Sequence, residues 1–293
     1  MALLAPLLYS IVVLFDDNLL SFVYKSPYLA TAFAGFFGVL PFVAVIFKTP
    51  VIHANLALLA LLAGLLTVSY YYFYFKGLES DTPAVVIALF NLAPATIPIF
   101  AHFFVHEQLT ALELAGFVVV LLASLGISLT DVKTFKFSRA LVPVVIAVVF
   151  MDILSLISKY VYQNTQFFSA YMYFCLGMGL GGLFFLLLKF SDNKKHLQDI
   201  GKAIKKLLPV FIAVELVNVA AEFTLNLGIS RGPVSLVKVI EGVQPIFMLL
   251  IALALYPLAP RFFREAEQGG AAKKFALMAV AVIGIALIAK GSA

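Results

Sequence analysis

The chain has 293 residues, of which 63% are hydrophobic and 12% are charged, and its mean hydropathy is +1.07. This balance excludes a soluble globular domain, in which about 25% of residues are charged, and indicates an integral, multi-pass membrane protein. The single cysteine, Cys175, excludes an intrachain disulfide and a multi-cysteine metal site, and we expect no metal and no cofactor. The net charge of +5 lies mainly in loops, so we expect no nucleic-acid partner.

Ten apolar runs are long enough to cross a membrane, which takes about 20 helical residues. We number them spans 1 to 10; they cover approximately residues 3–24, 28–47, 54–75, 83–104, 111–130, 140–161, 168–190, 207–229, 233–256 and 275–290. The first run lacks a preceding basic segment, so we interpret it as a span rather than a signal peptide. The sequence thus predicts an all-α membrane protein with ten transmembrane helices.

Six of the fifteen carboxylates lie inside these predicted spans and away from their ends: Asp16, Asp17, Asp152, Glu215, Glu222 and Glu241. Each charge at the centre of a lipid-facing helix costs about 2.5–3.5 kcal/mol on insertion scales. Six together exceed the typical ~5–15 kcal/mol stability of a folded protein. We therefore expect them to be protonated, paired or turned towards a polar interior, which in a membrane bundle commonly handles a solute.

Span 1 carries three consecutive polar residues, Asp16, Asp17 and Asn18. Neighbouring side chains on a helix point about 100° apart, so only one of the two aspartates faces a cavity while the other pairs or binds a proton. We select Asp17 and Asn18 as candidate site residues.

Span 3 holds four tyrosines within residues 70–74. Tyrosines near the end of a span commonly form an interfacial belt, which is our main interpretation. The alternative is that Tyr71 contributes to a cavity by stacking or by a cation–π contact.

Spans 4 and 9 contain prolines that free a backbone carbonyl. Pro94 does so beside Asn91, and Pro245 frees the carbonyl of Glu241. Lys238 and Glu241 form an i, i+3 pair whose charges can neutralise each other. Interrupted helices at matching places in two halves indicate a transporter site, whereas routine kinks beside an internal salt bridge are the alternative.

Spans 6 and 8 contribute the remaining candidates. Glu215, Asn218, Glu222 and Asn226 follow i, i+3, i+7, i+11 and therefore share one helical face. Asp152 is the only carboxylate in span 6. The functional interpretation is a wall that binds a cation, a proton or a polar solute. The alternative is interhelical hydrogen bonding, worth about 0.6 kcal/mol on average in membranes.

A weak internal repeat relates spans 1–5 to spans 6–10. The matching positions are Asn18-x2-Ser21-x3-Lys25 with Asp152-x2-Ser155-x3-Lys159, Ala34/Gly38 with Gly177/Gly181, and Pro83/Asn91 with Pro233/Glu241. Because five is odd, the second half enters the membrane from the opposite side. The prediction is two inverted-topology five-helix repeats, residues 1–134 and 135–293, with a site near the midplane where they meet.

The basic residues lie unevenly in the loops. Fifteen fall on the side of the loop between spans 1 and 2 and four on the other side, so the positive-inside rule places both termini outside. Residues 194–208 mix lysines with leucine and isoleucine, which predicts a short amphipathic helix on an anionic leaflet.

The sequence around span 4 resembles that of EamA-like members of the drug/metabolite transporter superfamily. The shared features are a proline-containing span 4, a Glu-x-Leu-Thr turn and a glycine-rich span 5, here Asn91-Leu-Ala-Pro94-Ala-Thr96, Glu107-Gln-Leu109-Thr110, Gly116 and Gly126. The second half is similar at residues 233–238 and 241–247, but it has Tyr256-Pro257 where the turn would stand. The resemblance implies alternating access, a central cavity lined by spans 1, 3, 4, 6, 8 and 9, and cytoplasmic termini, opposite to the charge bias.

The family handles amino acids, nucleotide sugars, vitamins, choline-like amines and drugs. We therefore expect a secondary transporter of a small polar or amphiphilic metabolite, coupled to protons, in a prokaryotic plasma membrane. Away from the ends of the spans, six carboxylates stand against one lysine, Lys238, which favours a proton or a cationic solute. A flippase for an amphiphile is the alternative, suggested by 29 phenylalanines and the basic segment. Nothing pairs a nucleophile with a base, so we expect no enzyme; a homodimer is left open.

Overall fold

The computed structural model describes residues 3–45, 50–105, 110–131, 136–188, 190–255 and 271–291. These residues are helical apart from one short antiparallel ribbon. In chain order the elements are α1 (Leu4–Leu19), a π-helical segment (Leu20–Tyr24), α2 (Pro27–Phe37), α3 (Leu40–Val45), α4 (Ala54–Ser80), α5 (Pro83–Phe90), α6 (Leu92–Val105), α7 (Ala111–Ser128), β1 (Leu129–Asp131), β2 (Lys136–Phe137), α8 (Leu141–Asn164), α9 (Phe167–Leu188), α10 (Phe190–Arg231), α11 (Val234–Glu241), α12 (Gln244–Leu255) and α13 (Ala271–Gly291).

The helices follow the ten predicted spans, and the all-helical fold is confirmed. Within the described ranges, six stretches are long and apolar enough to cross a membrane: Leu4–Tyr24, Ala54–Ser80, Val85–Phe104, Leu141–Asn164, Phe167–Leu188 and Leu208–Arg231. Predicted spans 2, 5 and 10 correspond to shorter apolar helices, and span 9 to the pair α11 and α12. Large apolar side chains such as Leu58, Phe103 and Leu122 are exposed, as expected of a surface that meets lipid.

Spans 4 and 9 are interrupted at matching places. α5 begins at Pro83 and α11 directly after Pro233, and eight residues later each helix gives way to a second one. Pro94 and Pro245 lie in the first turns of α6 and α12, where a missing backbone N–H costs no internal hydrogen bond. The prolines therefore start new helices instead of kinking continuous ones, and Asn91 is buried at the first junction.

The helices pack mainly across the two halves of the sequence. α4 packs along α8 and α9, α1 along α10 and α12, α2 along α9, α6 along α8 and α11, and α7 along α13. Glycines bring backbones into contact. A Cβ on Gly64 would lie 2.0 Å from the carbonyl oxygen of Phe174, and one on Gly177 would lie 2.1 Å from that of Leu61. Such close approach is typical of small-residue interfaces between membrane helices.

Two local features lie at helix ends, and the first of them corrects an expectation from the sequence. α10 runs without interruption over 42 residues, so residues 194–208 extend span 8 rather than forming a separate helix, and their contact with an anionic leaflet stays a prediction. At the start of α7, the Thr110 N–H donates to Glu113 Oε2 (2.6 Å) and the Glu113 N–H donates to Thr110 Oγ1 (3.2 Å), a capping box. Residues 107–109 and the predicted repeat boundary at 134/135 lie outside the described residues.

Candidate functional site

A cavity of about 70 Å³ lies among the helices. This volume holds about five water molecules. Its polar lining consists of Tyr9, Asp16, Tyr70, Tyr71, Tyr74, Glu215, Asn218, Glu241 and Gln244. The lining comes from predicted spans 1, 3, 4, 6, 8 and 9, with Ala34 added from span 2. These are the spans that the family resemblance implies.

Two carboxylates of the cavity each accept a hydrogen bond from a tyrosine of another helix. The Tyr74 hydroxyl of α4 donates to Asp16 Oδ2 of α1 at 2.9 Å. The Tyr24 hydroxyl, at the end of the π-helical segment, donates to Glu215 Oε1 of α10 at 2.5 Å. Asp16, Glu215 and both tyrosines are buried. Each hydrogen bond therefore joins two helical segments through a carboxylate that also lines the cavity.

Glu222 is the centre of a larger network behind the cavity. Its Oε1 accepts from the Tyr71 hydroxyl (3.0 Å) and from the Tyr70 hydroxyl (3.3 Å). Its Oε2 accepts from Asn226 Nδ2 at 3.0 Å, one turn further along α10. Asn226 Oδ1 in turn accepts from the Tyr162 hydroxyl of α8 at 2.7 Å. Three bonds to one carboxylate fix its orientation, and together with the bond from Tyr162 to Asn226 they join α4, α8 and α10.

Asp152 of α8 and Lys238 of α11 are further buried charged groups, and Asp152 contacts one of the interrupted spans. Asp152 Oδ2 accepts from the Thr96 hydroxyl of α6 at 2.5 Å, while its Oδ1 is buried and has no hydrogen-bond partner among the described residues. Lys238 Nζ lies 2.5 Å from Glu241 Oε2. The ion pair predicted from the i, i+3 spacing is therefore present, with Lys238 fully buried.

The charges around the cavity are unbalanced. Among the described residues, no lysine or arginine lines it. Lys159, also buried, donates to the carbonyls of Ile229 (3.2 Å) and Gly232 (2.7 Å) at the end of α10. Taking an ion out of water costs several kcal/mol unless it is paired. The carboxylates therefore favour a proton or a positively charged guest, as their number in the sequence suggested.

The predicted site residues are only partly brought together. Glu215, Asn218, Glu241 and Tyr71 line the cavity, and Glu222 lies directly behind Tyr71. Asp152, Lys238 and Asn91 are buried near it but do not line it.

The selection within span 1 does not agree with the geometry. Asp17 is half-buried and outside the lining, and Asn18 Nδ2 donates to the carbonyl of Leu14 at 3.4 Å. Asp16 is the residue that faces the cavity. Both aspartates fit a helix equally well, so the choice depends on the position of Tyr74.

Sequence reasoning also misjudged the tyrosines of span 3. The interfacial-belt interpretation is wrong for Tyr70, Tyr71 and Tyr74, which are buried and bonded to carboxylates. The i, i+4 spacing of Tyr70 and Tyr74 could have indicated a shared face. Tyr24 and Thr96 were missed, and no sequence signal marked them as partners of Glu215 and Asp152.

Comparisons with known proteins agree with the fold. Residues 1–129 match the model of the EamA-like transporter family. A crystal structure of another protein superposes on 99% of this chain and 98% of its own chain, with a TM-score of 0.64 and 19% sequence identity, and so shows a common fold. No curated protein matches the sequence.

Proposed function

The match of residues 1–129 places this chain in the drug/metabolite transporter superfamily, and from this premise we propose that it is a secondary active transporter working by alternating access. Its solute is a small polar or amphiphilic metabolite, and protons are the coupling ion. Membrane transport follows from the family; solute, coupling and mechanism are our proposal.

One observation carries the proposal: the central cavity presents carboxylates and tyrosines, and none of its described lining residues is basic. Asp16, Glu215 and Glu241 supply negative charge, and the ring faces of the lining tyrosines can attract a cation. An ammonium group therefore fits this lining better than a carboxylate or a phosphate does.

Alternating access needs two halves that can exchange roles, and the packing supports such a pair. Exchanging spans 1–5 with spans 6–10 maps the α4–α8 interface onto α10–α1, and α6–α8 onto α12–α1, and all four are present. The two helix junctions also meet, since a Cβ on Gly242 would lie 3.0 Å from Pro94 Cγ. These relations are those expected of inverted repeats around an axis in the membrane plane.

Proton coupling is supported by buried carboxylates that have no basic neighbour in contact among the described residues. Within these residues, Asp152 and Glu222 accept hydrogen bonds only from neutral hydroxyl and amide groups. A carboxylate in such a place can alternate between a charged and a protonated form as the cavity changes sides.

A flippase for an amphiphile is the second candidate, and the apolar part of the lining favours it. Val12, Val13, Phe75, Ile87 and Phe90 also line the cavity. An amphiphile could place its headgroup on the carboxylates and its chain on these apolar side chains.

A ligand screen followed by transport tests the proposal. We expect small primary and quaternary amines, but not carboxylates or sugar phosphates, to raise the unfolding temperature of the purified protein, because a ligand of the native state stabilises it by RT ln(1 + [L]/Kd). Glu215→Gln should abolish that shift, whereas Glu79→Gln, at an exposed ion pair with Lys76, should retain it. Proton-driven uptake of the amine into proteoliposomes supports the transporter; movement of labelled lipid between leaflets without amine uptake supports the flippase.

A further inference from the structure

The ion pair at the end of α11 places a lysine directly behind a cavity carboxylate. Lys238 is fully buried, and its Nζ lies 2.5 Å from Glu241 Oε2. Glu241 lines the cavity and Lys238 does not. The ammonium group therefore neutralises the carboxylate from the protein side while the cavity side of the same group stays open to a guest.

Three carboxylates lie close enough for the charge of Lys238 to act on them: Glu241 on its own helix, Asp152 on α8 and Glu222 on α10. They differ in how many partners they already have. Glu222 accepts from Tyr70, Tyr71 and Asn226. Asp152 accepts from Thr96 through Oδ2 only, and its buried Oδ1 lacks a partner within the described part of the chain. Asp152 therefore has a carboxylate oxygen that can accept from the ammonium group.

The geometry at this junction points to a displaceable counter-ion. We propose that Lys238 neutralises Glu241 in the empty cavity, and that a cationic solute pairing with Glu241 moves the Lys238 ammonium group onto Asp152 Oδ1. The solute part rests on the proposed function above; the exchange between the two carboxylates does not. One cation enters, Glu241 exchanges one counter-ion for another, and Asp152 gains the Lys238 ammonium group. A protonated Asp152 releases its proton as the ammonium group arrives, so the net charge of the site is unchanged.

The exchange also links the solute to helix positions. α11 has only eight residues and is followed by Gly242, beside the junction between α5 and α6. Asp152 is bonded to Thr96 at the start of α6. Transfer of Lys238 from Glu241 to Asp152 thus draws α11 towards α8 and α6. Lys238 is in this view a positioning residue, which competes with the solute and promotes its release.

The first test needs no ligand. In the Glu241→Gln variant, Lys238 loses its partner and is expected to pair with Asp152. Asp152→Asn should then lower the unfolding temperature by about 5–10 °C more in the Glu241→Gln background than in the wild type, because it leaves a buried ammonium group unpaired. An equal effect of Asp152→Asn in both backgrounds overturns the exchange.

The second test uses methylammonium as the probe, which is small enough for a 70 Å³ cavity. Lys238→Met removes the competitor, so we expect methylammonium to bind about tenfold more tightly while its uptake rate falls. If Lys238→Met instead binds methylammonium more weakly than the wild type, the role of Lys238 is purely structural and the proposal is overturned. Lys238→Gln serves as a second variant if the methionine form does not fold, and the same expectation applies to it.

Lys159→Met is the matched control. Lys159 is also a buried lysine in the second half, but it donates to backbone carbonyls at the end of α10 and does not line the cavity. Methylammonium affinity should stay within twofold of the wild type. A tenfold gain in this variant as well would overturn the assignment to Lys238. If methylammonium fails to bind the wild type, the solute part of the proposal and the cationic preference both fail, whereas the unliganded test decides the exchange by itself.

Discussion

Glu222→Gln is the substitution whose consequence follows most directly from the hydrogen bonds. Glu222 accepts on both oxygens, from Tyr70 and Tyr71 on one and from Asn226 on the other. Glutamine keeps one acceptor for the tyrosines but presents an amide N–H₂ to the amide N–H₂ of Asn226. Turning Asn226 over would sacrifice the bond that its Oδ1 accepts from Tyr162 and the bond that its Nδ2 donates to the carbonyl of Glu222.

The expected loss is that of one buried donor without a partner, about 1–3 kcal/mol. At about 2–4 °C per kcal/mol, the unfolding temperature should fall by about 2–12 °C. A second change can repair the network. In Glu222→Gln/Asn226→Asp, the new carboxylate accepts from the glutamine amide and from Tyr162, so most of the lost stability should return.

Thermal unfolding of the wild type, the two single variants and the double variant measures this directly. Asn226→Asp alone brings two carboxylates into contact and should be the least stable of the four. In the double variant the carboxylate no longer lies under Tyr70 and Tyr71, so we expect restored stability without proton-driven uptake. The reasoning is refuted if Glu222→Gln unfolds like the wild type, or if the double variant is no more stable than that single one.

Four further predictions concern coupling, packing, orientation and symmetry. Asp152→Asn keeps the shape and the bond from Thr96, so it should fold with near-native stability yet lose pH-driven uptake in proteoliposomes; unchanged pH dependence would exclude Asp152 from coupling. Gly177→Ala would force a methyl group against the backbone of α4, so we expect a loss of about 1–3 kcal/mol in unfolding measurements, and a neutral effect would contradict the close approach. With both termini outside, a cysteine at Asn193 in a Cys175→Ala background should be shielded from impermeant reagents in intact cells, and labelling there would restore the usual family orientation. An experimental structure should superpose spans 1–5 on spans 6–10 after rotation about an in-plane axis; a parallel relation would refute the repeat.

The positions of the helix junctions could be predicted because proline acts locally. Pro83 and Pro233 open their helices, and the interruptions fall eight residues later in both halves. The i, i+3 spacing of Lys238 and Glu241 likewise sufficed to predict their ion pair, because both residues share one short helix.

The parts that failed depend on contacts between distant segments. α4 continues to Ser80 rather than ending near residue 75, so Tyr70, Tyr71 and Tyr74 lie deeper than their position in the predicted span suggested. The choice between Asp16 and Asp17 depends on where α4 places Tyr74. A single sequence contains no local signal for either fact.

The packing of the two halves also bears on the order of events during synthesis. The first half emerges first, carrying Tyr24, Tyr70 and Tyr71, yet their carboxylate partners lie on α10, about 150–190 residues later in the chain. Until α10 inserts, these hydroxyl groups and the glycine-lined face of α4 lack the surfaces that they contact in the folded protein. Spans 1–5 therefore form an incomplete assembly in the bilayer at this stage. Their packing is completed only when translation of the second half has supplied α8, α9 and α10.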